Sequence, residues 1–192
     1  YILAECIEAA GVPPGVFNMV VADREASDEL IRHPGVDKIS FTGSTAVGKH
    51  ILEVASKRVA RVSLELGGKS AAVVLDDADP ATVVSRLAGE ITMNCGQVCA
   101  ALMRVVVPKA KVNDYSEALA AAVGKVKLGD PFDDATQVGP LAMERQLSRV
   151  QGYIRKGRDE GAKLVCGGQR PAHLNRGYYI EPTVFSNVDQ NM

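Results

Sequence analysis

Arg61 to Leu66 alternates without a fault: Val62, Leu64 and Leu66 fall on one side, and Arg61, Ser63 and Glu65 on the other. A strand with one apolar face must pair with a neighbour and be covered. Upstream stand a short strand-like run, Ile39 to Thr42, and a helical segment from about Ala46 to Lys57. Downstream, Gly67-Gly68 breaks the strand before a more apolar run, Ser70 to Leu75. Strands separated by a helix pair through a crossover, which makes them parallel. The expected class is α/β with a largely parallel sheet.

The rest of the chain keeps the alternation. A helix is expected over Ile2 to Ala10, stopped at Gly11, then a turn at Val12-Pro13-Pro14-Gly15 and a strand over Val16 to Val21. A polar helix over Ser27 to Arg32 ends at His33-Pro34-Gly35. Asp79-Pro80 reads as a cap and first helical position, opening a helix to about Met93. A strand follows over Met103 to Val107, and Asn113 or Asp114 is expected to cap a helix reaching Val126. Leu147, Val150 and Ile154 mark one face of a helix that stops at Gly161. Lys163 to Cys166, a Gly167-Gly168 turn and a last strand over Tyr178 to Phe185 complete the pattern. The chain opens at Tyr1 without a cap and closes after a strand-like run, which reads as a piece of a larger protein.

With 192 residues there is room for one large domain or two small ones. Hydrophobic residues at 46 % and charged residues at 23 % match an ordinary globular chain. A net charge of −1 gives no electrostatic reason to bind nucleic acid or an anionic membrane. No apolar run reaches the roughly 18 residues of a membrane-spanning helix. Cys6, Cys95, Cys99 and Cys166 show no paired metal-ligand spacing. Reduced thiols and a cytoplasmic location are expected, and no metal.

Three segments carry chemistry. Gly43 to Lys49 joins a strand to a helix and falls one residue short of a P-loop. A P-loop places Ser or Thr next, for magnesium; this chain has His50, a poor ligand for a hard cation. A nucleotide hydrolase is therefore the weakest reading, although the turn still suits an anionic ligand at a helix N-terminus. Glu65 lies on the polar side of its strand near the carboxyl end, where ligands of open α/β sheets collect. Asn94-Cys95-Gly96-Gln97-Val98-Cys99 is a small, flexible loop after a helix.

Cys99 fits a nucleophile, and Glu65 a base that takes a proton from a thiol or a water. A thiol with its usual pKa of about 8.5 is only a few per cent thiolate at pH 7, so a nearby base or helix N-terminus would help. A catalytically inactive fragment with an inert thiol, or a thiol-bearing binding module, is the alternative. Cys95 reads as a small filler, and Cys6 and Cys166 as packing residues. Asp76, Asp77 and Asp79 read as a helix cap and loop charge, Lys69 as structural or surface. His33, His50 and His173 stand isolated and take no role.

Together these segments resemble the aldehyde dehydrogenase superfamily. Phe41-Thr42-Gly43-Ser44-Thr45-Ala46-Val47-Gly48 is similar to its cofactor-loop motif, Glu65-Leu66-Gly67-Gly68-Lys69-Ser70 to its glutamate motif, and Asn94-x-Gly96-Gln97-x-Cys99 to its catalytic-cysteine motif. Pro14-Gly15-Val16-Phe17-Asn18, Gly139-Pro140-Leu141 and Glu181-Pro182-Thr183-Val184-Phe185 resemble lesser blocks, in the same order.

The resemblance implies an α/β fold with part of a Rossmann-like NAD(P)-binding domain over 1–66 and part of a catalytic domain over 67–192. It implies oxidation of a small-molecule aldehyde to a carboxylic acid with NAD or NADP. Cys99 would form a thiohemiacetal and then a thioacyl enzyme. Glu65 would activate the hydrolytic water; branches of the family that transfer to CoA commonly lack it. The Cys99 N–H would be half of an oxyanion hole. Gly43 and Ser44 would meet the cofactor pyrophosphate, and Leu66 and Gly67 would pass near the nicotinamide.

The resemblance further implies a homodimer or homotetramer for the intact protein, with the oligomerisation segment outside this chain. The asparagine completing the oxyanion hole and the lysine and glutamate at the adenosine ribose would precede Tyr1. The Glu-x-Phe-Gly-Pro block at the nicotinamide ribose would follow Met192. Residues 1–192 alone are therefore expected to oxidise aldehydes very weakly or not at all; steady NADH production by the purified piece, abolished in Cys99→Ala, would overturn this.

Overall fold

The computed structural model describes residues 1–192, which divide into two compact units, Tyr1–Leu66 and Gly67–Met192. In the first, helix α1 (Ile2–Ala9) leads through a turn to α2 (Arg24–Arg32), strand β1 (Lys38–Gly43), helix α3 (Thr45–Ser56) and strand β2 (Arg61–Leu66). β1 and β2 are parallel, in register from Lys38 opposite Arg61 to Gly43 opposite Leu66. The alternation expected for β2 holds: Val62, Leu64 and Leu66 are half-buried, while Arg61, Ser63 and Glu65 are exposed.

Ile39, Ile51 and Ala55 form the buried centre of this unit, with Ile31, Val36, Phe41, Ala60, Val62 and Leu64 packed around them. Asp23 caps α2 by accepting from the Ala26 N–H at 2.9 Å, so the helix starts three residues before the expected Ser27. At its other end the Arg58 guanidinium donates to the Val36 and Ile31 carbonyls, the latter at 3.1 Å, which satisfies backbone that the helix leaves open.

The strand expected over Val16 to Val21 does not form. Asn18 Nδ2 donates to the Gly15 carbonyl at 2.9 Å and closes a turn. Val16, Val20 and Val21 are 70–79 % exposed, without ladder partners. Apolar, β-branched residues favour a pleated surface, but a strand exists only where another strand takes up its backbone bonds.

In the second unit, β3 (Ala71–Val73) pairs in parallel with β4 (Arg104–Val106) around the crossover helix α4 (Pro80–Thr92). Asp79 caps α4 as expected, accepting from the Thr82 N–H at 2.9 Å and the Thr82 hydroxyl at 2.6 Å, with Pro80 at the first helical position. A 3₁₀ turn, Lys109–Lys111, precedes α5 (Val112–Val123). This turn replaces the expected side-chain cap: Lys111 holds the cap position without a side-chain bond, and its N–H donates to the Pro108 carbonyl at 2.8 Å. Helix α6 (Glu144–Asp159) buries Ile154.

Strands β5 (Lys163–Cys166) and β6 (Val184–Ser186) pair antiparallel. The expected last strand is thus reduced to its end. Pro182 has no N–H to give a ladder, and Tyr178 bridges to Leu141 instead. Gly167, at φ +73°, is the one place where the β5 exit excludes any side chain: a Cβ there would fall 2.0 Å from the Pro182 carbonyl oxygen.

Val74, Val84, Leu87, Tyr115, Leu119, Val123 and Val184 form the core of this unit. No helix is long and apolar enough to cross a membrane. Ile51, 2 % exposed, is the most deeply enclosed large side chain of the first unit. Ile51→Ala is expected to destabilise the chain by about 2–5 kcal/mol in denaturant titration; a loss well under 1 kcal/mol would mean that the site collapses around the cavity.

Candidate active site

The parallel register of β1 and β2 brings four of the candidate residues to one strand end. Thr42 lies opposite Glu65 and Gly43 opposite Leu66, so the carboxyl ends of both strands coincide. Ser44 is the single residue between β1 and α3, and its hydroxyl accepts from the Val47 N–H at 3.4 Å. This geometry leaves no room for a P-loop. Such a loop wraps phosphate with several backbone N–H groups, whereas here Gly48 and Lys49 lie inside the helix. What remains is a helix N-terminus with its unsatisfied N–H groups and partial positive charge, one residue from the strand end.

Gly48 has a role that the P-loop comparison obscured. It is buried in α3, and a Cβ there would stand 2.8 Å from Leu66 Cδ2. Its missing side chain lets the first turn of α3 settle on the end of β2. A glycine inside a helix is unfavourable by about 1 kcal/mol against alanine. That penalty was the available signal that something packs closely against it.

His50, given no role from sequence, is not isolated. Its Nε2 lies 2.5 Å from Asp28 Oδ1, and Asp28 Oδ2 accepts from Arg32 Nε at 2.6 Å. The Arg32 guanidinium and then His50 hold the Asp28 carboxyl below its usual range. The cluster ties α2 to α3 at the surface. His33 is also occupied: its Nδ1 accepts from the Gly35 N–H at 3.1 Å.

Gly67 opens the second unit, and the cysteine loop belongs to the same unit. The Ser70 N–H donates to the Ala101 carbonyl at 3.2 Å, and a Cβ on Gly68 would sit 3.5 Å from the Cys99 carbonyl oxygen. The start of this unit therefore lies alongside the exit of the cysteine loop. Lys69 contributes its carbonyl, which accepts from Arg104 Nε at 2.9 Å. Glu65 and Cys99 fall in different units.

Glycine adopts a positive φ freely; at Gly96 the two residues before it adopt one too. Asn94 (φ +47°), Cys95 (φ +56°) and Gly96 (φ +73°) form a left-handed turn. Each residue with a side chain in that region costs about 1–3 kcal/mol, held only where surrounding contacts enforce it. Within the turn, the Gln97 N–H donates to the Asn94 carbonyl at 3.1 Å and Asn94 Nδ2 to the Gln97 carbonyl at 3.4 Å. A Cβ on Gly96 would meet Met103 Cε at 2.7 Å and the Ile91 carbonyl at 3.2 Å, so position 96 tolerates glycine alone.

Cys99 emerges from this turn exposed. Cys95 is half-buried, with its Sγ 3.4 Å from the Gly139 carbonyl and 3.7 Å from that of Pro140. Burial pushes the Cys95 thiol up, against a smaller opposing effect of the Gly139 contact. Burial likewise raises Cys166. Of the two cysteines in this loop, Cys99 is the accessible one. The link from Cys95 to Gly139-Pro140 had no local signal, because 44 residues separate Cys95 from Gly139.

The profile of the Aldehyde dehydrogenase family matches residues 1–192. A Staphylococcus haemolyticus protein provisionally named an aldehyde dehydrogenase is 48 % identical over the whole chain, which covers 41 % of that protein. Geranial dehydrogenase of Castellaniella defragrans is 44 % identical over 98 % of the chain and 39 % of its own length. Among solved structures, a Mycobacterium tuberculosis aldehyde dehydrogenase complexed with NAD⁺ superposes with a TM-score of 0.96 at 41 % identity, over the full chain and 40 % of that protein. A mutant of aldehyde dehydrogenase C from Pseudomonas syringae, complexed with NAD⁺ and octanal, gives 0.96 at 40 % identity with the same coverage. The chain spans about two fifths of the length of the relatives it matches. Over its whole length, this chain belongs to the aldehyde dehydrogenase family.

Proposed function

We propose that the protein carrying this chain oxidises an aldehyde to a carboxylic acid with NAD(P)⁺, through a covalent intermediate on Cys99. The observation that carries this reading is the exposed Cys99 thiol at the exit of a strained left-handed turn, in a chain of this family. In this reading residues 1–66 are the later part of the NAD(P)-binding domain and 67–192 part of the catalytic domain. The intact protein acts on a small-molecule aldehyde as a homodimer or homotetramer.

The residues at the β1–α3 junction suit a dinucleotide. Exposed Ser44 and the open N–H groups at the start of α3 offer donors to a pyrophosphate. Gly43, opposite Leu66, makes room for the Phe41 ring: a Cβ there would fall 2.4 Å from Phe41 Cζ. Leu66 and Gly67 then lie toward the nicotinamide. The NAD⁺ complex of the Mycobacterium tuberculosis relative supports the choice of cofactor. When bound, NAD(P)⁺ supplies the acceptor for the hydride that leaves the substrate carbon.

The protein's own groups do the rest. The Cys99 thiolate adds to the aldehyde carbonyl carbon, forming a C–S bond and a thiohemiacetal oxyanion, toward which the Cys99 N–H donates. Loss of hydride leaves a thioacyl enzyme. Glu65 takes a proton from water as its oxygen attacks the acyl carbon; the C–S bond breaks, releasing the carboxylic acid and the Cys99 thiolate.

In the intact protein, Cys99→Ala is expected to lower aldehyde-dependent NADH formation by at least about 1000-fold; activity near wild type would overturn the reading. Glu65→Gln should still give a rapid burst of NADH, followed by turnover slowed about 100-fold or more, because only deacylation loses its base. Steady-state turnover equal to wild type would remove Glu65 from that role.

A further inference from the structure

We infer that Cys95 is a positioning residue for Cys99: its thiol, donating to the Gly139 and Pro140 carbonyls, holds the left-handed turn in the form that presents the nucleophile. The inference rests on the reading of Cys99 as nucleophile.

Two anchors flank Cys99. After it, the Ala101 N–H donates to the Val98 carbonyl at 3.1 Å, and Ala101, only 1 % exposed, accepts from the Ser70 N–H. That side leads into the β3–β4 ladder, which begins at Ala71 opposite Arg104. Before it, the turn is closed by its own bonds between Asn94 and Gln97. Those bonds shape the turn and fix it to nothing else. The Cys95 thiol is what ties it to a distant segment.

The acceptor segment is held on both sides. Val138 and Leu141, on either side of Gly139-Pro140, are 7 % and 4 % exposed. The Val138 carbonyl accepts from the Gly129 N–H at 3.2 Å, and the Leu141 N–H donates to the Tyr178 carbonyl at 3.0 Å. A thiol is a weak donor. Here it acts between a backbone that favours leaving the left-handed region and two carbonyls in a segment hydrogen-bonded on both sides. A shift of about 1 Å in a reacting group can cost as much as 100-fold in rate.

Cys95→Gly separates the two demands at this position. Glycine accepts a positive φ without strain but has no thiol, so backbone fit improves while the tie is lost. Cys95→Ser keeps a donor of similar reach. In the intact protein, hydrogen exchange of amides 94–99, read by mass spectrometry, should accelerate about 10-fold or more in Cys95→Gly and stay near wild type in Cys95→Ser. With octanal as probe, kcat should fall about 10-fold in Cys95→Gly at nearly unchanged KM, and recover in Cys95→Ser.

Wild-type exchange in Cys95→Gly would overturn the anchor. Faster exchange with wild-type kcat would overturn its consequence for Cys99. Should Cys95→Gly not fold, Cys95→Ala against Cys95→Ser decides, and equal exchange and equal kcat in that pair would overturn the inference. An active Cys99→Ala protein, by contrast, would refute the nucleophile reading while leaving the exchange result standing.

Discussion

Gly43 lies opposite Leu66 because β1 and β2 run parallel and in register, and the position of every candidate in the first unit depends on that pairing. A shift of one residue would turn Glu65 from the polar face to the apolar one. The buried trio Ile39, Ile51 and Ala55 holds the register by pinning α3 across both strands. Gly48 then lets the start of α3 approach Leu66. Strand end, helix N-terminus and carboxylate-bearing residue are thereby gathered by one packing arrangement.

In the second unit the governing constraint is conformational rather than apolar. Three successive left-handed residues, Asn94 to Gly96, follow the end of α4. Such a turn is unfavourable on its own and persists because contacts on both sides hold it. Packing around Gly96 closes one side, and the Cys95 thiol reaches Gly139 and Pro140 on the other. Strained backbone next to an exposed thiol is a pattern of functional sites, where defined geometry is worth a loss in stability.

Local rules read well where the determining contacts are close in sequence. The Asp79-Pro80 start of α4 and the face of β2 follow from caps and alternation, which act within a few residues. Val16 to Val21 shows the limit: its composition suits a strand, yet no segment of residues 1–192 pairs with it. The segment before β6 shows another, since Pro182 withdraws an N–H and Tyr178 finds Leu141. Asp28 and His50, 22 residues apart, carry no mutual signal at all until α2 and α3 pack.

Sequence alone determined which chemical groups the chain offers. A cysteine after a small-residue loop, a glutamate on the polar side of a strand and a serine at a helix start are properties of residue type, periodicity and capping. Tertiary structure decided which backbone each group inherits: that Gly48 is a packing residue, that Asn94 and Cys95 share the left-handed turn of Gly96, and that Cys95 bonds to a segment 44 residues away. These arise from contacts between residues distant along the chain, and a local pattern holds no record of them.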